Sequence, residues 1–352
     1  MERLKQWLEK IRILDETMVE AAARHQDRLT KPAGSLGRLE ELACRVAGIT
    51  GALHPQVGKK RIVLFAADHG VAREGVSAYP REVTGQMVFN FLKGGAAINA
   101  ISRAVGAEVE VVDIGVDADF PETPGLVKRK LARGSANLAE GPALTVEEAL
   151  SALAVGVERA DAVVQAGVKI LGTGDMGIGN TTPSSALYAA LLNRPAAEVT
   201  GRGTGLDDEG LARKIKVIEQ ALAVNRERLT DPLSILAALG GFEIAGLCGL
   251  ILGAAGNRTP VVIDGFISSA AALVAIRLKP EIQRYCIFAH LSQERGHRLF
   301  FQEIGERPLL DLDLRLGEGT GAALAMGIIQ AALEAHNRMA TFESAGVSGQ
   351  EG

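Results

Sequence analysis

Two kinds of hydrophobic spacing divide the chain. Over roughly the first fifty residues apolar positions recur at helical spacing. Residues 5–24 read as one amphipathic helix, a Lys31-Pro32-Ala33-Gly34-Ser35 turn breaks it, and 36–47 read as a second. At Arg61 the pattern changes to short β-branched runs, each closed by small or polar residues and followed by a helical stretch. The runs are 61–66, 109–112, 168–171, 261–263 and 285–289, and the helical patterns between them are 145–160, 183–193, 210–229 and 268–278. The last long pattern, 319–339, is an alanine-rich helix.

Strands alternating with helices predict a parallel sheet covered on both faces. The expected fold class is α/β: a Rossmann-like, mostly parallel sheet flanked by helices over 61–319, with a smaller helical domain formed from both chain termini, 1–60 and 320–340. The Gly/Ser-rich residues 343–352 read as a disordered tail. Asp68, Asp113, Asp175, Asp264 and His290 each fall where a strand ends. In open parallel sheets the ligand lies beyond the carboxyl ends of the strands, so these five residues predict a shared cleft.

Composition narrows the function class. A net charge of −4 without any block of Lys or Arg lacks the basic footprint of a nucleic-acid binder. Cys44, Cys248 and Cys286 are far apart and show no metal-type spacing, so they read as small core residues in a reducing compartment. Residues 1–14 lack the apolar stretch of a signal peptide. The longest weakly polar run, 245–256, falls short of the ~20 residues of a membrane span. A cytoplasmic protein without membrane contact is expected.

The glycines cluster in three loops. The first, Gly172 to Thr182, follows a strand and opens a helix, where backbone N–H groups and the helix dipole hold phosphate. Asn180, Thr181 and Thr182 add side-chain donors there. The loop contains G-x-G-x-x-G at Gly172, Gly174 and Gly177, so a nucleotide- or dinucleotide-binding oxidoreductase is one reading and a non-catalytic nucleotide sensor another. Asp175 would set a carboxylate beside a pyrophosphate, which counts against the former. The second loop, 201–205, holds Arg202, with Lys214 on the next helix; either cation can neutralise phosphate. In the third, Glu318 stands between Gly317 and Gly319. A phosphate loop would avoid a carboxylate there, and an N-cap would favour Asp or Ser. A ligand-facing general base of ordinary pKa, kept ionised by the following helix, fits better. His69 and His290 read as structural histidines, since no short His/Glu spacing suggests a metal.

Together, Lys31 to Glu40 (KPAGSLGRLE), Ala67 to Val71 (ADHGV), Tyr79-Pro80, Glu82 to Thr84, Gln86-Met87, Gly174 to Thr182, His290 to Ser292 and Leu316 to Gly321 (LGEGTG) occur in one order. Over about residues 10 to 340 this set resembles the nicotinate-nucleotide–dimethylbenzimidazole phosphoribosyltransferase family of cobalamin lower-ligand assembly. The resemblance implies transfer of the phosphoribosyl group of nicotinate mononucleotide to 5,6-dimethylbenzimidazole or a related aromatic base, giving α-ribazole 5′-phosphate and nicotinate. It also implies a homodimer, small-molecule substrates, and neither metal nor cofactor. Carried onto this chain, it implies Glu318 as general base. It implies Asp175, Met176, Gly177, Ile178, Gly179, Asn180 and Thr181 as the phosphate and ribose site, helped by Gly203 and Lys214. Tyr79, Gln86 and Met87 would receive the base, with Ser292 near the nicotinate or ribose. On chemical grounds Asp264 and Asp175 are candidates to stabilise cationic character at the ribose C1′. One departure stands out: the family usually carries Glu where this chain has Asp175.

Overall fold

Alternate residues of the first strand, Lys59–Ala67 (β1), feed two different apolar cores. Ile62, Leu64 and Ala66 belong to one buried cluster, and Val63, Phe65 and Ala67 to the other. A strand buried on both faces is apolar without interruption and needs helices on each side. The computed structural model, which describes residues 1–121 and 123–348, has this arrangement. The other strands are Ala107–Gly115 (β2), Leu126–Lys128 (β3), Val168–Met176 (β4), Val261–Ile263 (β5) and Cys286–Phe288 (β6). They lie in the order β3-β2-β1-β4-β5-β6, every neighbouring pair parallel. This is the Rossmann order, in which the chain reverses direction across the sheet between β1 and β4 and opens a crevice at the strand ends.

One face is covered by the helices Val146–Gln165, Phe242–Gly256 and Phe266–Leu278, the other by Val83–Leu92, Ala97–Ala104 and Thr320–Arg338. Several glycines outside the loops serve this packing. A Cβ on Gly156 would collide with the carbonyl oxygen of Gly246, and one on Gly249 with that of Leu153. The Val146–Gln165 and Phe242–Gly256 helices therefore cross with their backbones in contact. The weakly polar run 245–256 is the inside of the second of these, buried almost throughout. No helix among the described residues is long and apolar enough to cross a membrane.

The structure corrects several sequence boundaries. The single helix expected over 5–24 is two, Glu2–Lys10 and Glu16–Arg28, because Asp15 caps the second by accepting the Met18 N–H at 3.1 Å. The 210–229 pattern ends as a helix at Val224. The edge strand β3 and the helices Val83–Leu92, Ala97–Ala104 and Arg295–Ile304 are elements beyond those expected. The Thr320–Arg338 helix packs both on the sheet and on the N-terminal Arg38–Thr50 helix. Within the expected tail a short helix, Phe342–Ala345, begins behind Thr341, while 349–352 lie outside the described residues.

Candidate active site

A cavity of about 340 Å³ opens at the carboxyl ends of β4, β5 and β6. Its walls come from the turn 175–181 after β4, the start of Phe266–Leu278, His290, Ser292 and Glu294 after β6, and residues 315–318. Val76, Ser77, Tyr79, Val83 and Met87 close it from the β1 side. Of the five strand-end polar residues, only Asp175 and His290 face this space. Asp68 accepts the Asp117 N–H at 2.8 Å, and Asp113 accepts that of Val116 at 3.0 Å and pairs with Lys130 at 3.3 Å. These two hold loops together, the ordinary work of an aspartate at a strand end.

Asp264 has a different task. Its Oδ1 accepts the Ala322 N–H at 2.8 Å and its Oδ2 that of Gly319 at 3.2 Å, so it caps the Thr320–Arg338 helix from β5 and lies behind the cavity wall. With the cap supplied from elsewhere, Glu318 is free to turn outward. Gly317, Glu318 and Gly319 run consecutively through the left-handed region, at φ of 89°, 64° and 96°. For a non-glycine residue this conformation stores about 1–3 kcal/mol of strain. β4 makes room for the loop: a Cβ on Gly174 would stand 2.6 Å from the Glu318 carbonyl oxygen. Gly174 is thus a strand residue beneath the Glu318 loop and Gly172 one beneath Ala322 and Met326 of the helix that follows it, and no dinucleotide turn forms at the G-x-G-x-x-G sequence.

Glu318 Oε2 accepts the Ile98 N–H at 3.1 Å, at the start of Ala97–Ala104. Burial raises its pKa above the ordinary glutamate value, the Ile98 N–H opposes that rise, and the nearby Asp264 adds to it. The ordinary pKa expected for this group is therefore corrected: the carboxylate has lost most of its water and has one backbone donor in return. Asp175 is pushed further up, first by full burial and then by Asp264, with Glu243 and Glu318 adding to it. Its Oδ2 accepts from Asn180 Nδ2 at 3.1 Å.

The turn after β4 lines the cavity and leads into the Thr181–Leu192 helix, closed by the Asn180 N–H donating to the Gly177 carbonyl and the Thr182 N–H to that of Gly179, each at 3.0 Å. Thr84 holds the turn, its hydroxyl accepting the Ile178 N–H at 3.1 Å. Lys214 is fully buried and absent from the wall. It stands behind Thr181, donating to that hydroxyl at 2.7 Å and to the Gly201 carbonyl at 3.2 Å. Burial lowers its pKa to about 8, against the pull of Glu294. Gly203 packs so near Thr181 that a Cβ would stand 2.8 Å from its hydroxyl, and its N–H donates to Glu294 Oε1 at 2.8 Å.

Tyr79, Met87 and Ser292 line the cavity, whereas Gln86 is exposed and lies outside the wall. His69 is structural: its Nε2 meets Glu243 Oε1 at 2.6 Å, both fully buried. His290 is not satisfied in this way, since both ring nitrogens are buried without a partner while the ring faces the cavity. Sequence reasoning also missed Phe266, Ile267, Glu294 and Arg315 in the wall. The last two adjoin recognised motifs, two residues after Ser292 and one before Leu316, which was the only signal available. Among the described residues the one group of three potential metal ligands, His25, His54 and His336, is not part of this cavity.

With this geometry in place, comparison with known proteins is specific. A family model described as phosphoribosyltransferase matches residues 11–347. The chain is 57% identical over 351 residues to the nicotinate-nucleotide–dimethylbenzimidazole phosphoribosyltransferase of Pelodictyon phaeoclathratiforme, covering 100% of this chain and 99% of the relative. It is 56% identical over 348 residues to the protein of the same name from Geobacter sulfurreducens, covering 99% of each. A crystal structure of such a protein from Thermus thermophilus superposes with a TM-score of 0.90 at 47% identity, covering 96% of this chain and 100% of that one.

Proposed function

We infer the function from one premise: the chain belongs to the nicotinate-nucleotide–dimethylbenzimidazole phosphoribosyltransferase family. It transfers the phosphoribosyl group of nicotinate mononucleotide to 5,6-dimethylbenzimidazole or a related aromatic base, giving α-ribazole 5′-phosphate and nicotinate in cobalamin nucleotide-loop assembly. The residue roles rest on a single observation, a buried carboxylate at Glu318 facing a cavity whose far wall is a helix N-terminus.

A benzimidazole nitrogen attacks the ribose C1′ as the C1′–N bond to nicotinate breaks. The electron pair of that bond returns to the pyridine nitrogen, and the attacking ring becomes cationic. Its other N–H is then acidic, and Glu318 takes that proton. The raised pKa makes Glu318 a better acceptor than an exposed glutamate. The turn 176–181 binds the 5′-phosphate through backbone N–H groups at the helix start. Lys214 reinforces it from behind through Thr181, acting as a positioning residue. Asp175, held toward its neutral form by burial beside Asp264, faces the ribose and offers it hydrogen bonds, and Asp264 helps by holding the Glu318 loop. Tyr79, Met87, Phe266 and Leu316 supply the apolar surface for the aromatic base, with Ser292 toward the nicotinate or ribose.

A homodimer is inferred alongside, supported by Leu312 and Leu316, which are 53% and 58% exposed. Light scattering should return twice the chain mass. A cytoplasmic location is inferred from the three buried free cysteines. The catalytic assignment is tested by incubating the protein with both substrates. Nicotinate should appear only when the benzimidazole is present, and Glu318→Gln should slow its release about 10²–10⁴-fold with unchanged circular dichroism. Unimpaired release by that variant would remove Glu318 from the role of base.

A further inference from the structure

Away from the cavity, three histidines from three separate stretches of chain converge. His25 lies in the Glu16–Arg28 helix, His54 in the connector before β1, and His336 in the last turn of Thr320–Arg338. Potential ligand nitrogens, one from each ring, all lie within 4.8 Å of one another. Ring centroids are 4.9 Å apart for His25 and His54, 4.8 Å for His25 and His336, and 5.8 Å for His54 and His336. We propose that these residues form a binding site for a divalent transition ion, Zn²⁺ by preference, that ties the N-terminal helices to the C-terminal helix and takes no part in phosphoribosyl transfer.

The hydrogen bonds around the rings set up the ligand form. His25 Nε2 lies 2.9 Å from the His336 carbonyl oxygen, and His336 Nε2 lies 2.8 Å from that of Leu53. A carbonyl only accepts, so each Nε2 carries its hydrogen and each Nδ1 carries a lone pair. Donation of the second ring N–H to a backbone carbonyl is the usual support of a metal-bound histidine.

A second observation is independent of the rings. Gln26 Nε2 donates to His336 Nδ1 at 2.8 Å, which leaves Gln26 Oε1 buried and without a partner. A buried orphan acceptor is costly. Once an ion takes the His336 lone pair, a half-turn of the amide brings Oε1 toward it as a fourth ligand and removes the orphan.

The site has a path from solvent: His54 is exposed, His25 partly buried and His336 buried. Zn–N bonds of about 2.0–2.1 Å require the nitrogens to draw together by roughly an ångström, a movement within reach of an exposed His54 side chain. Imidazole ligands without carboxylates select borderline ions over Mg²⁺ or Ca²⁺.

Equilibrium dialysis of the full chain against Zn²⁺, with Mg²⁺ as control, tests this. The wild type should retain one zinc per chain and no magnesium, and its melting temperature should rise with zinc. His54→Gln and His25→Gln, changes at accessible positions, should each weaken zinc binding at least about tenfold and abolish the thermal shift. Nicotinate release should be the same in all three proteins. A wild type that takes up no zinc overturns the proposal. Uptake retained by both variants also overturns it, by placing the ion elsewhere.

Discussion

The carboxylate of Glu318 accepts the backbone N–H of Ile98 at 3.1 Å, across 220 positions of sequence. One oxygen is thereby fixed by a helix start on the β2 side of the sheet, and the other has no hydrogen-bond partner within the described residues. The bond also keeps the charged form of a buried acid within reach, because burial alone would favour the neutral one.

This predicts an acid limb in the pH profile. With Glu318 as the proposed base, kcat/KM should fall as pH falls through a pKa that lies above the usual glutamate range. Glu318→Asp should retain such a limb. The residual rate of Glu318→Gln should lack it, and an unchanged limb in that variant would assign the titration to another group.

Lys214 carries the second prediction. Its pKa of about 8 means that the cation behind Thr181 is lost as pH rises past that value. KM for nicotinate mononucleotide should therefore rise above about pH 8. Lys214→Met should raise KM about 10–100-fold, the value of a lost charge-assisted hydrogen bond, and should remove this alkaline dependence. A fall in kcat at constant KM would contradict a phosphate-positioning role.

Asp175 predicts a trade of stability against function. Its pKa is raised well above the unfolded value by burial beside Asp264. Such a group favours the folded state below its unfolded pKa, and that advantage is lost as pH rises through the folded one. At high pH, where the folded chain must bear the buried charge, Asp175→Asn removes the penalty. The variant should melt later than the wild type by an amount equivalent to about 1 kcal/mol or more, yet transfer more slowly. A lower melting temperature throughout the pH range would show that the acid stabilises the fold by another route.

Gly156→Ala tests the helix crossing. The added methyl would run into the Gly246 carbonyl, so the two helices must part. A loss of about 1–3 kcal/mol is expected from overpacking, read by urea denaturation, with substrate KM unchanged once the protein is folded. A neutral substitution would mean that the crossing is looser than the contact implies.

Much of the fold was legible because its strands are buried on both faces. The continuous apolar runs at β1 and β5, ended by Asp68 and Asp264, needed no partner to be recognised. The three-residue β3 was not legible, since an edge strand that short has no pattern of its own. Neither was the break at Asp15, where a single cap outweighs continuous helical spacing. In the site, the residues of the β4 turn and Glu318 stood out by unusual local chemistry. Phe266, Ile267 and Glu294 did not, because nothing in a buried phenylalanine or a helix-flanking glutamate marks it as cavity wall.

The sequence by itself determined the α/β class, the strand-end placement of the acids and, through motifs in a family's order, the activity. Those properties are local, or are carried by residue identity. Tertiary structure alone decided which acids face the cavity and which hold the backbone. Asp264 and Glu318 are both acids beside the last helix, but Asp264 spends its oxygens on the helix N-terminus and Glu318 does not. Structure also placed Gly172 and Gly174 in a strand, left Gln86 exposed outside the cavity wall and raised the pKa of Glu318. Each of these depends on which groups from distant parts of the chain share one small, largely dry volume, and hydrogen-bond partners and desolvation exist only once that volume has formed.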